Sequence, residues 1–550
     1  MESYIHLYKT NSEFTEAYNS PNYKEPWLSL TEENMAIGYN KPKLTAITFD
    51  SITWVTDVPS TGGTATKDNC SFKVYAKYDN GISVDISSDA TVTGELVVPS
   101  STSGQRHEVG QLALTASYGG LTATGNVAAY QAAVDFSTEP LTFNILSAGT
   151  INWTASNGSV SRTIEYKLNN NEWTSITSNK GSSAPTITVN PGDKIQFRGN
   201  NTQYGNSSSN YNSFRGSTAS FEAEGNIMSL IYGDEFKNNL TISSDYAFAK
   251  LFIDCTKLVS AENLILPATT LANYCYEEMF YGCTSLTTAP ELPATTLADS
   301  CYYYMFQGCT SLKTAPALPA TTLANYCYQN MFYGCKSLTT APALPATTLA
   351  DRCYNSMFNG CTSLTTAPKL PATTLAGSCY QEMFYGCTSL TTAPALPATK
   401  LADNCYEYMF QGCTSLKTAP ALPATTLADS CYSYMFYGCT SLTTAPSALP
   451  STSVWHNCYN SMFRGCTSLT TAPELPATTS LGRYCYQAMF MGCTSLNYIK
   501  CLATDISATD CTSYWVSGVA STGTFVKNPD MTSWPTGVSG IPTGWTVQDA

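Results

Sequence analysis

The residues best suited to chemistry in this chain are its 22 cysteines. Eighteen of them occupy two positions, eight residues apart, in a unit that recurs along the second half of the chain, starting with Cys275 and Cys283. In such a series every thiol has identical neighbours and no unique disulfide partner. A Cys-x7-Cys spacing without histidine is also unusual for zinc. We therefore favour free thiols packed as small hydrophobes, without a bound metal, over disulfides or a zinc site.

Other groups that could support catalysis are sparse. The three histidines are His6, His107 and His456. None stands beside a serine or cysteine in a nucleophile motif, which argues against acyl transfer. Two carboxylates in one cleft could cleave a glycosidic bond, and the candidates are Glu277, Glu278, Glu382 and Glu407. Because these carboxylates do not recur regularly, we expect no glycan depolymerase, no other enzyme activity and no cofactor.

The positions that vary between repeats are the best candidates for binding. A pair of residues before each Met-Phe dipeptide changes from copy to copy, while the residues expected in the core stay nearly constant. Tyrosine and amide side chains are typical of adaptable binding surfaces. The predicted receptor-binding residues are Glu277, Glu278, Tyr303, Tyr304, Gln329, Asn330, Gln381, Glu382, Glu407, Tyr408 and Tyr434.

Two alternatives to this binding surface stay open. The variable pairs are equally well explained as ordinary solvent positions that nothing constrains. Binding could also use the opposite ridge of the repeat, which carries Thr287, Lys313, Thr339 and Lys417.

A 26-residue repeat positions these side chains, and a period of this length predicts a solenoid. The i, i+4, i+8 spacing of apolar residues predicts a short helical turn over residues 275–283, with Glu277, Glu278 and Tyr281 pointing to solvent. Gly282 is expected to take a positive φ at the end of that turn. Prolines make the stretch that follows extended. Degenerate copies at 247–255 and 511–518 are predicted to cap the open ends.

The length of 550 residues and the changes in composition predict several domains. Residues 1–40 form a short aromatic segment that we expect to dock onto another protein. Short alternating strands predict an immunoglobulin-like β-sandwich at 41–135 and a second β-sandwich at 136–226. The leucine-rich-repeat solenoid follows at 227–498, and a C-terminal cap at 499–550. The fold class is thus multidomain, with two sandwiches followed by a solenoid.

Charge and composition exclude some classes of partner. The net charge is −13 and there is no cluster of lysine or arginine, so nucleic acid and anionic lipid are poor partners. Charged residues make up 12% of the chain, about half of the ~25% that is usual, so polar uncharged side chains must cover the surface. The sequence has no apolar run of the ~20 residues that a membrane helix needs.

Three resemblances add to this interpretation. The Met-Phe-x-Gly-Cys-Thr-Ser-Leu stretch, over residues 247–525, resembles the BspA-type leucine-rich repeat, which implies adhesion to host or bacterial surfaces and no catalytic residues. The period of 26 and the methionine depart from the commonest form of that repeat. The stretches at 6–18 and 24–34 are similar to the start of virion structural proteins of crAss-like Bacteroides phages. The 41–135 module lacks the cysteine pair of antibody domains, having only Cys70, and it resembles the bacterial immunoglobulin-like domains that serve as spacers in surface and virion proteins.

The resulting expectation is a phage virion fibre that attaches the particle to the bacterial surface through its repeats. Its partners would be a bacterial surface glycan or protein receptor and, through residues 1–40, other virion proteins. We expect a homo-oligomer, as a trimer, at the virion surface after synthesis in the host cytoplasm. The start of the sequence lacks an export signal, which favours a virion protein. The alternative is a BspA-like bacterial adhesin that binds host matrix or mucin glycans.

Overall fold

The computed structural model describes residues 43–60, 62–99, 107–131, 135–449 and 455–550. The predicted docking segment at 1–40 lies outside these residues. The chain divides into two compact units, Met1–Asp135 and Phe136–Ala550. Within the described part, no helix is both long and apolar enough to cross a membrane.

The first unit is built from antiparallel strands whose alternating residues fill one core. Its strands are β1 (Leu44–Trp54), β2 (Gly63–Thr66), β3 (Cys70–Tyr78), β4 (Ser83–Asp85), β5 (Thr91–Thr93), β6 (Glu95–Val98), β7 (His107–Tyr118) and β8 (Leu121–Gln131), with a 3-10 turn at Lys67–Asn69. They form the sheets β1-β3-β4 and β5-β7-β8 and the pair β2-β6. Val74, Val84, Leu112 and Leu114 are fully buried in this core.

The second unit begins with a further set of short strands. These are β9 (Leu141–Ile145), β10 (Gly149–Asn152), β11 (Thr154–Ala155), β12 (Thr163–Leu168), β13 (Thr174–Thr177), β14 (Asn179–Lys180), β15 (Thr186–Val189), β16 (Lys194–Arg198), β17 (Gly205–Ser207), β18 (Asn210–Ser213) and β19 (Phe221–Asn226). Helical segments are α1 (Ser229–Tyr232) and 3-10 turns at Phe136–Thr138, Gly181–Ser183 and Gly233–Asn238.

These strands share a sheet and a core with the repeats that follow. The largest sheet has the order β13-β12-β16-β9-β19-β20, and β20 (Leu258–Ile265) already belongs to the first degenerate repeat. β19 and β20 run parallel. Phe252 of that repeat lies 5.9 Å from Phe143 and 5.3 Å from Phe280, measured between ring centroids. Residues 136–226, which the sequence separates from the repeats, therefore contribute to one continuous core with them.

The repeats form coils of 26 or 27 residues that lie on one another. Their extended edges meet in single-residue parallel bridges, such as Thr314–Thr340 and Thr340–Thr366. On the other side of each coil, successive backbone N–H groups alternate between two kinds of hydrogen bond. One donates to a carbonyl of the next coil, and the following one donates to a carbonyl of its own coil. Glu278 N–H donates to Tyr303 O of the next coil at 2.8 Å, while Met279 N–H donates to Tyr276 O of its own coil at 3.2 Å.

The predicted helical turn over residues 275–283 is wrong. This segment consists of tight turns, in which a residue with positive φ occurs every fourth position, at Tyr274, Glu278 and Gly282. The spacing of four therefore comes from these turns and not from a helix of 3.6 residues per turn. Gly282 does take a positive φ, of 70°, but it lies within the run of turns. Two side chains point into the core and the next two point out, and this pattern repeats.

The inward side chains form ladders that run the length of the stack. The tyrosine that follows each first cysteine is buried, and its ring stacks on the tyrosine of the next coil, as Tyr276 and Tyr302 do at 5.7 Å. The phenylalanines stack in the same way, at 5.3 Å between Phe280 and Phe306. The methionines, cysteines and leucines beside them are fully buried. One coil has no closed core of its own, so its stability depends on its neighbours.

The C-terminal end of the stack is covered by a different structure. Strands β21 (Tyr498–Cys501), β22 (Thr524–Lys527) and β23 (Thr546–Asp549) form a parallel sheet. Trp515 is fully buried, and its ring centroid lies 6.4 Å from that of Tyr486. The larger indole thus covers the last rung of the tyrosine ladder.

Candidate binding groove

The variable pairs lie on the outer side of the turns and stack between coils. The first member of each pair forms one row along the stack. Gln329 Nε2 donates to Asn355 Oδ1 at 3.2 Å, and Asn355 Nδ2 donates to Gln381 Oε1 at 2.9 Å. Gln381 Nε2 then donates to Glu407 Oε2 at 2.7 Å. The row is therefore a directed hydrogen-bond chain that begins at Gln329 and ends on a carboxylate.

The second member of each pair occupies a position of positive φ and forms a second row. Glu278 makes an ion pair of 2.9 Å with Lys250 of the preceding coil, and both side chains are largely buried. Ser356 Oγ donates to Glu382 Oε2 at 3.2 Å. Tyr408 and Tyr434 stack at 4.7 Å, and burial raises the pKa of Tyr408 to about 12.

Several candidate residues are less accessible than the sequence predicts. Glu277, which was expected to point to solvent, is only 3% exposed, and Asn330 is 6% exposed. Both lie between neighbouring coils because the rows pack along the stack. The interpretation of the pairs as unconstrained solvent positions is therefore wrong for the buried members. Receptor binding by these candidates stays a prediction.

The early coils enclose a groove of about 730 Å3, and five of the predicted binding residues line it. These are Glu277, Glu278, Tyr303, Tyr304 and Gln329. Tyr303 and Tyr304 meet edge to face, with centroids 4.0 Å apart. Ser208, from the turn between β17 and β18, also lines the groove, so the strand-rich part of the unit contributes to it. Gln381, Glu382, Glu407, Tyr408 and Tyr434 lie further along the same rows.

Three residues that line the groove carry buried acceptor atoms with no hydrogen-bond donor among the described residues. They are Glu277 Oε2, Gln307 Oε1 and Gln329 Oε1. Burial raises the pKa of Glu277 to about 7, against the opposing effect of Lys250. Burial of an acceptor without a partner costs free energy.

A row of aromatic rings that the sequence analysis missed forms one wall of the groove. Tyr246 and Tyr274 occupy the same place in adjacent coils and stack at 4.7 Å with planes 4° apart. The next coils place Ser300, Tyr326 and Arg352 there, and Arg352 lies over the Tyr326 ring at 5.9 Å. The position precedes each first cysteine and varies between copies as freely as the predicted pairs do. That variation was the available signal.

The cysteine side chains pack in the core as free thiols. All 22 are unpaired, and all except Cys70 are buried. Thiols of the second cysteine position donate to phenylalanine carbonyls of the coil before, as Cys309 Sγ does to Phe280 O at 3.1 Å. Burial raises the pKa of Cys301 and Cys353 to about 12. Within the described residues, no group of three or more histidine, cysteine or acidic side chains could hold a metal ion.

The sequence matches the family described as BspA type leucine-rich repeat region (6 copies) at residues 217–365, 273–417, 328–470 and 378–509. These overlapping segments together span residues 217–509, more than half of the chain. The chain belongs to the BspA-type leucine-rich repeat family. The resemblance seen in the Met-Phe-x-Gly-Cys-Thr-Ser-Leu stretch is thereby confirmed.

Among solved structures, this BspA-type chain is similar to a leucine-rich repeat protein from Bacteroides ovatus ATCC 8483. The two are 16% identical, the match covers 60% of this chain and 95% of that one, and the TM-score is 0.27. No curated protein matches the sequence. The similarity of the N-terminal stretch to phage virion proteins stays a prediction.

Proposed function

We propose that this BspA-type protein attaches to a surface receptor through the groove and rows of its repeat stack. The observation that supports the proposal most is the groove, whose lining combines tyrosines with glutamine, glutamate and serine side chains. Such a mixture is typical of sites that bind by contact area and hydrogen bonds. We propose binding without turnover, and release of sugar from purified capsule or mucin would contradict this.

More specifically, we propose that the protein is a phage virion fibre. Residues 1–40, similar to the start of crAss-like phage virion proteins, would dock onto other virion proteins. The immunoglobulin-like sandwich would act as a spacer and the solenoid as the receptor-binding tip at the virion surface. Three identical chains side by side would bind the bacterial surface with avidity.

The alternative is an adhesin of the bacterium itself, and family membership favours it. The experiment that separates the two uses the labelled full-length chain, incubated with a panel of Bacteroides strains and with immobilised mucin and matrix proteins. Strain-selective binding that competes with phage adsorption supports the virion fibre. Retention on mucin or matrix, without an effect on adsorption, supports the adhesin. Binding to neither surface would contradict attachment altogether.

Paired variants decide which face of the stack is used. Tyr303→Ala with Gln307→Ala removes two side chains from the groove. Thr339→Ala with Thr365→Ala removes two exposed hydroxyls from the opposite ridge. We expect the groove variant to lose retention on cells and the ridge variant to keep it. The reverse result would assign binding to the ridge.

A further inference from the structure

The position directly after each Met-Phe dipeptide alternates between tyrosine and a shorter polar residue along the stack. Tyrosine occupies it at every second coil, as Tyr281, Tyr333, Tyr385 and Tyr437, and the coils between carry Gln307, Asn359 and Gln411. These residues form the alternating row. Duplication of a two-coil unit would give the same period to every variable position. The second member of the variable pair has no such period, since it reads Glu278, Tyr304, Asn330 and Ser356 in the first four complete coils.

Backbone hydrogen bonds hold the alternating row in register. Gly360 N–H donates to Tyr385 O at 2.8 Å, and the equivalent bond recurs in the neighbouring coils. The phenylalanines directly before the row stack at 5.7 Å from Phe332 to Phe358 and 5.8 Å from Phe358 to Phe384, with planes 4° and 8° apart. Tyrosines on the outer side stack more closely, at 4.7 Å. Positions two coils apart are therefore separated by about 9 to 11 Å along the stack.

The tyrosines of the row are at least partly exposed, and the residues between them are held by neighbouring side chains. Tyr333 is 38% exposed, whereas Asn359 of the next coil is 6% exposed. Asn359 Nδ2 donates to Glu382 Oε2 at 3.1 Å, and Gln411 Nε2 donates to Tyr385 OH at 3.3 Å. Since the Tyr385 hydroxyl accepts from Gln411, its own hydrogen can point outward and donate to a ligand.

A row of this kind fits a long ligand that has a repeat of its own. A folded globular partner has no repeat of this length along a line, whereas the disaccharide unit of an extended glycan chain is about as long as two coils. A polyproline II helix, with three residues of ~3.1 Å per turn, repeats at about 9 Å and is the competing ligand. Tyrosine supplies rigid contact area for either of them.

The hydrogen-bonding groups beside the row favour the glycan. Glu382 is partly exposed, and both of its bonds, from Ser356 and Asn359, use Oε2. Its Oε1 can therefore accept from a ligand. Sugar hydroxyls can donate to this oxygen, whereas proline has a carbonyl oxygen and no N–H. A uronic acid unit would bring a further carboxylate next to Glu382 and Glu407, which is unfavourable, so the sugar units are expected to be uncharged.

We propose that the alternating row binds an extended, uncharged glycan chain that lies along the stack, with one tyrosine ring packed against each disaccharide unit. Hydroxyls of the chain donate to Glu382 and accept from tyrosine hydroxyls. The row begins in the groove, because Tyr281 and Gln307 line it. This inference rests on the proposed attachment function and names the ligand class and the surface for it. Affinity should rise with chain length, since each further disaccharide unit reaches another tyrosine.

Two variants test the row. Tyr333→Ala with Tyr385→Ala removes two rings, and its matched control, Tyr498→Ala with Tyr514→Ala, removes two rings outside the row. Gln411→Tyr removes no ring but abolishes the two-coil period. We expect the added ring to stack on its neighbours, which turns their faces away from the ligand. Melting temperatures within a few degrees of the wild type would show that all three variants are folded.

Binding is measured with the full-length chain by affinity electrophoresis in gels that contain neutral glycans, acidic alginate or poly-L-proline. The neutral glycans are glucomannan, arabinoxylan and the neutral fraction of Bacteroides surface polysaccharide. Oligosaccharides of increasing length from the glycan that retards the chain most are then titrated by calorimetry. We expect affinity to rise with length, the double tyrosine variant to bind at least about tenfold more weakly, and the control to bind as the wild type does. Gln411→Tyr should weaken binding several-fold.

Several results would overturn the inference. They are retardation by alginate or poly-L-proline alone, no retardation by any neutral glycan, affinity independent of length, or equal binding by the double tyrosine variant and the wild type. Tighter binding by Gln411→Tyr would show that aromatic area, and not the two-coil period, decides affinity.

Whole-cell retention separates this inference from the attachment function. If the wild type and the double tyrosine variant are retained equally on cells, the chain attaches by another surface and the alternating row is not the glycan site. If the wild type is not retained on any cell or matrix surface, the attachment function itself fails.

Discussion

Glu277 combines near-complete burial with an oxygen that has no hydrogen-bond donor among the described residues. The titratable groups around it are Lys250, Glu278 and the neutral tyrosines Tyr246 and Tyr303. Burial dominates and raises the pKa of Glu277 to about 7, and burial also raises that of Glu407 to about 7. Both carboxyls are therefore easier to protonate in the folded chain than in the unfolded one.

The folded protein is expected to lose stability as the pH rises from about 5 to 8. Because the folded-state pKa of about 7 lies above the ordinary value of 4.5, the folded state holds more protons in this window, so the stabilisation present at low pH is lost as the pH rises through 7. In Glu277→Gln, the free energy of unfolding that is lost between pH 5 and pH 8 should be smaller by about 1 to 3 kcal/mol. The measurement is urea unfolding at pH 5 and pH 8. The exposed Glu262→Gln is the control, and an unchanged slope in Glu277→Gln would contradict the prediction.

Among the secondary-structure elements, the runs of turns contain nearly all of the non-glycine residues with positive φ in the described part of the chain. Each coil holds residues with positive φ, and many of them are not glycine, such as Tyr304, Glu382 and Tyr434. For most side chains this conformation costs on the order of 1 kcal/mol, and it persists here because the flanking amides bond both within the coil and to the next coil.

Gly412 offers a direct test of that backbone conformation. Its φ is 72°, and a Cβ added there would lie 3.7 Å from Gly386 Cα, an ordinary contact. Sterics with the neighbour are therefore small, and the backbone angle decides the effect. We expect Gly412→Val to lower the free energy of unfolding by about 1 to 3 kcal/mol, and Gly412→Asn by much less, since asparagine tolerates positive φ. Equal losses in the two variants, measured by urea unfolding, would show that the angle is not the cause.

The same element shows how far the sequence could be interpreted. The 26-residue period, the repeat family and the inward side chains such as Met279 and Phe280 were predictable, because each recurs at a fixed spacing. The tight turns were not, because a spacing of four over only nine residues fits a helix equally well. The sequence predicted part of the groove, because Glu277 and Tyr303 were identified as variable residues. It did not predict the row that contains Tyr274 and Tyr326, since that row forms only when the coils stack on one another.

At the scale of the whole molecule, the stack should tolerate removal of one complete coil. Deletion of residues 380–405 joins Cys379 to Tyr406 and keeps every ladder in phase. Tyr354 can then stack on Tyr406, and Asn355 can donate to Glu407 in place of Gln381. We expect a folded chain with a modestly lower melting temperature. Deletion of residues 380–392, half a coil, shifts the ladders out of phase and should abolish cooperative melting by circular dichroism. Equal melting of the two deletions would contradict stacking in register.

The two compact units should unfold in separate transitions. Within the second unit, the strand-rich segment and the repeats should unfold together in a single transition. Its core is continuous from Leu141 to Trp545 and passes through Phe252, whose ring lies 5.9 Å from Phe143 and 5.3 Å from Phe280. Phe252→Ala should therefore lower the stability of strands β9–β19 and of the repeats together, by about 3 to 5 kcal/mol. Leu114→Ala, in the core of the first unit, should lower only the other transition.

Calorimetry would detect the two transitions, and hydrogen exchange in rising urea would assign them to peptides. In Phe252→Ala, peptides from residues 141–198 and from the first repeats should lose protection at the same lower urea concentration, while peptides from residues 107–131 keep theirs. If residues 141–198 retain protection when the repeats have lost it, the strand-rich segment folds independently. The shared core would then be a contact between two domains, and the groove that Ser208 helps to line would form only after they dock.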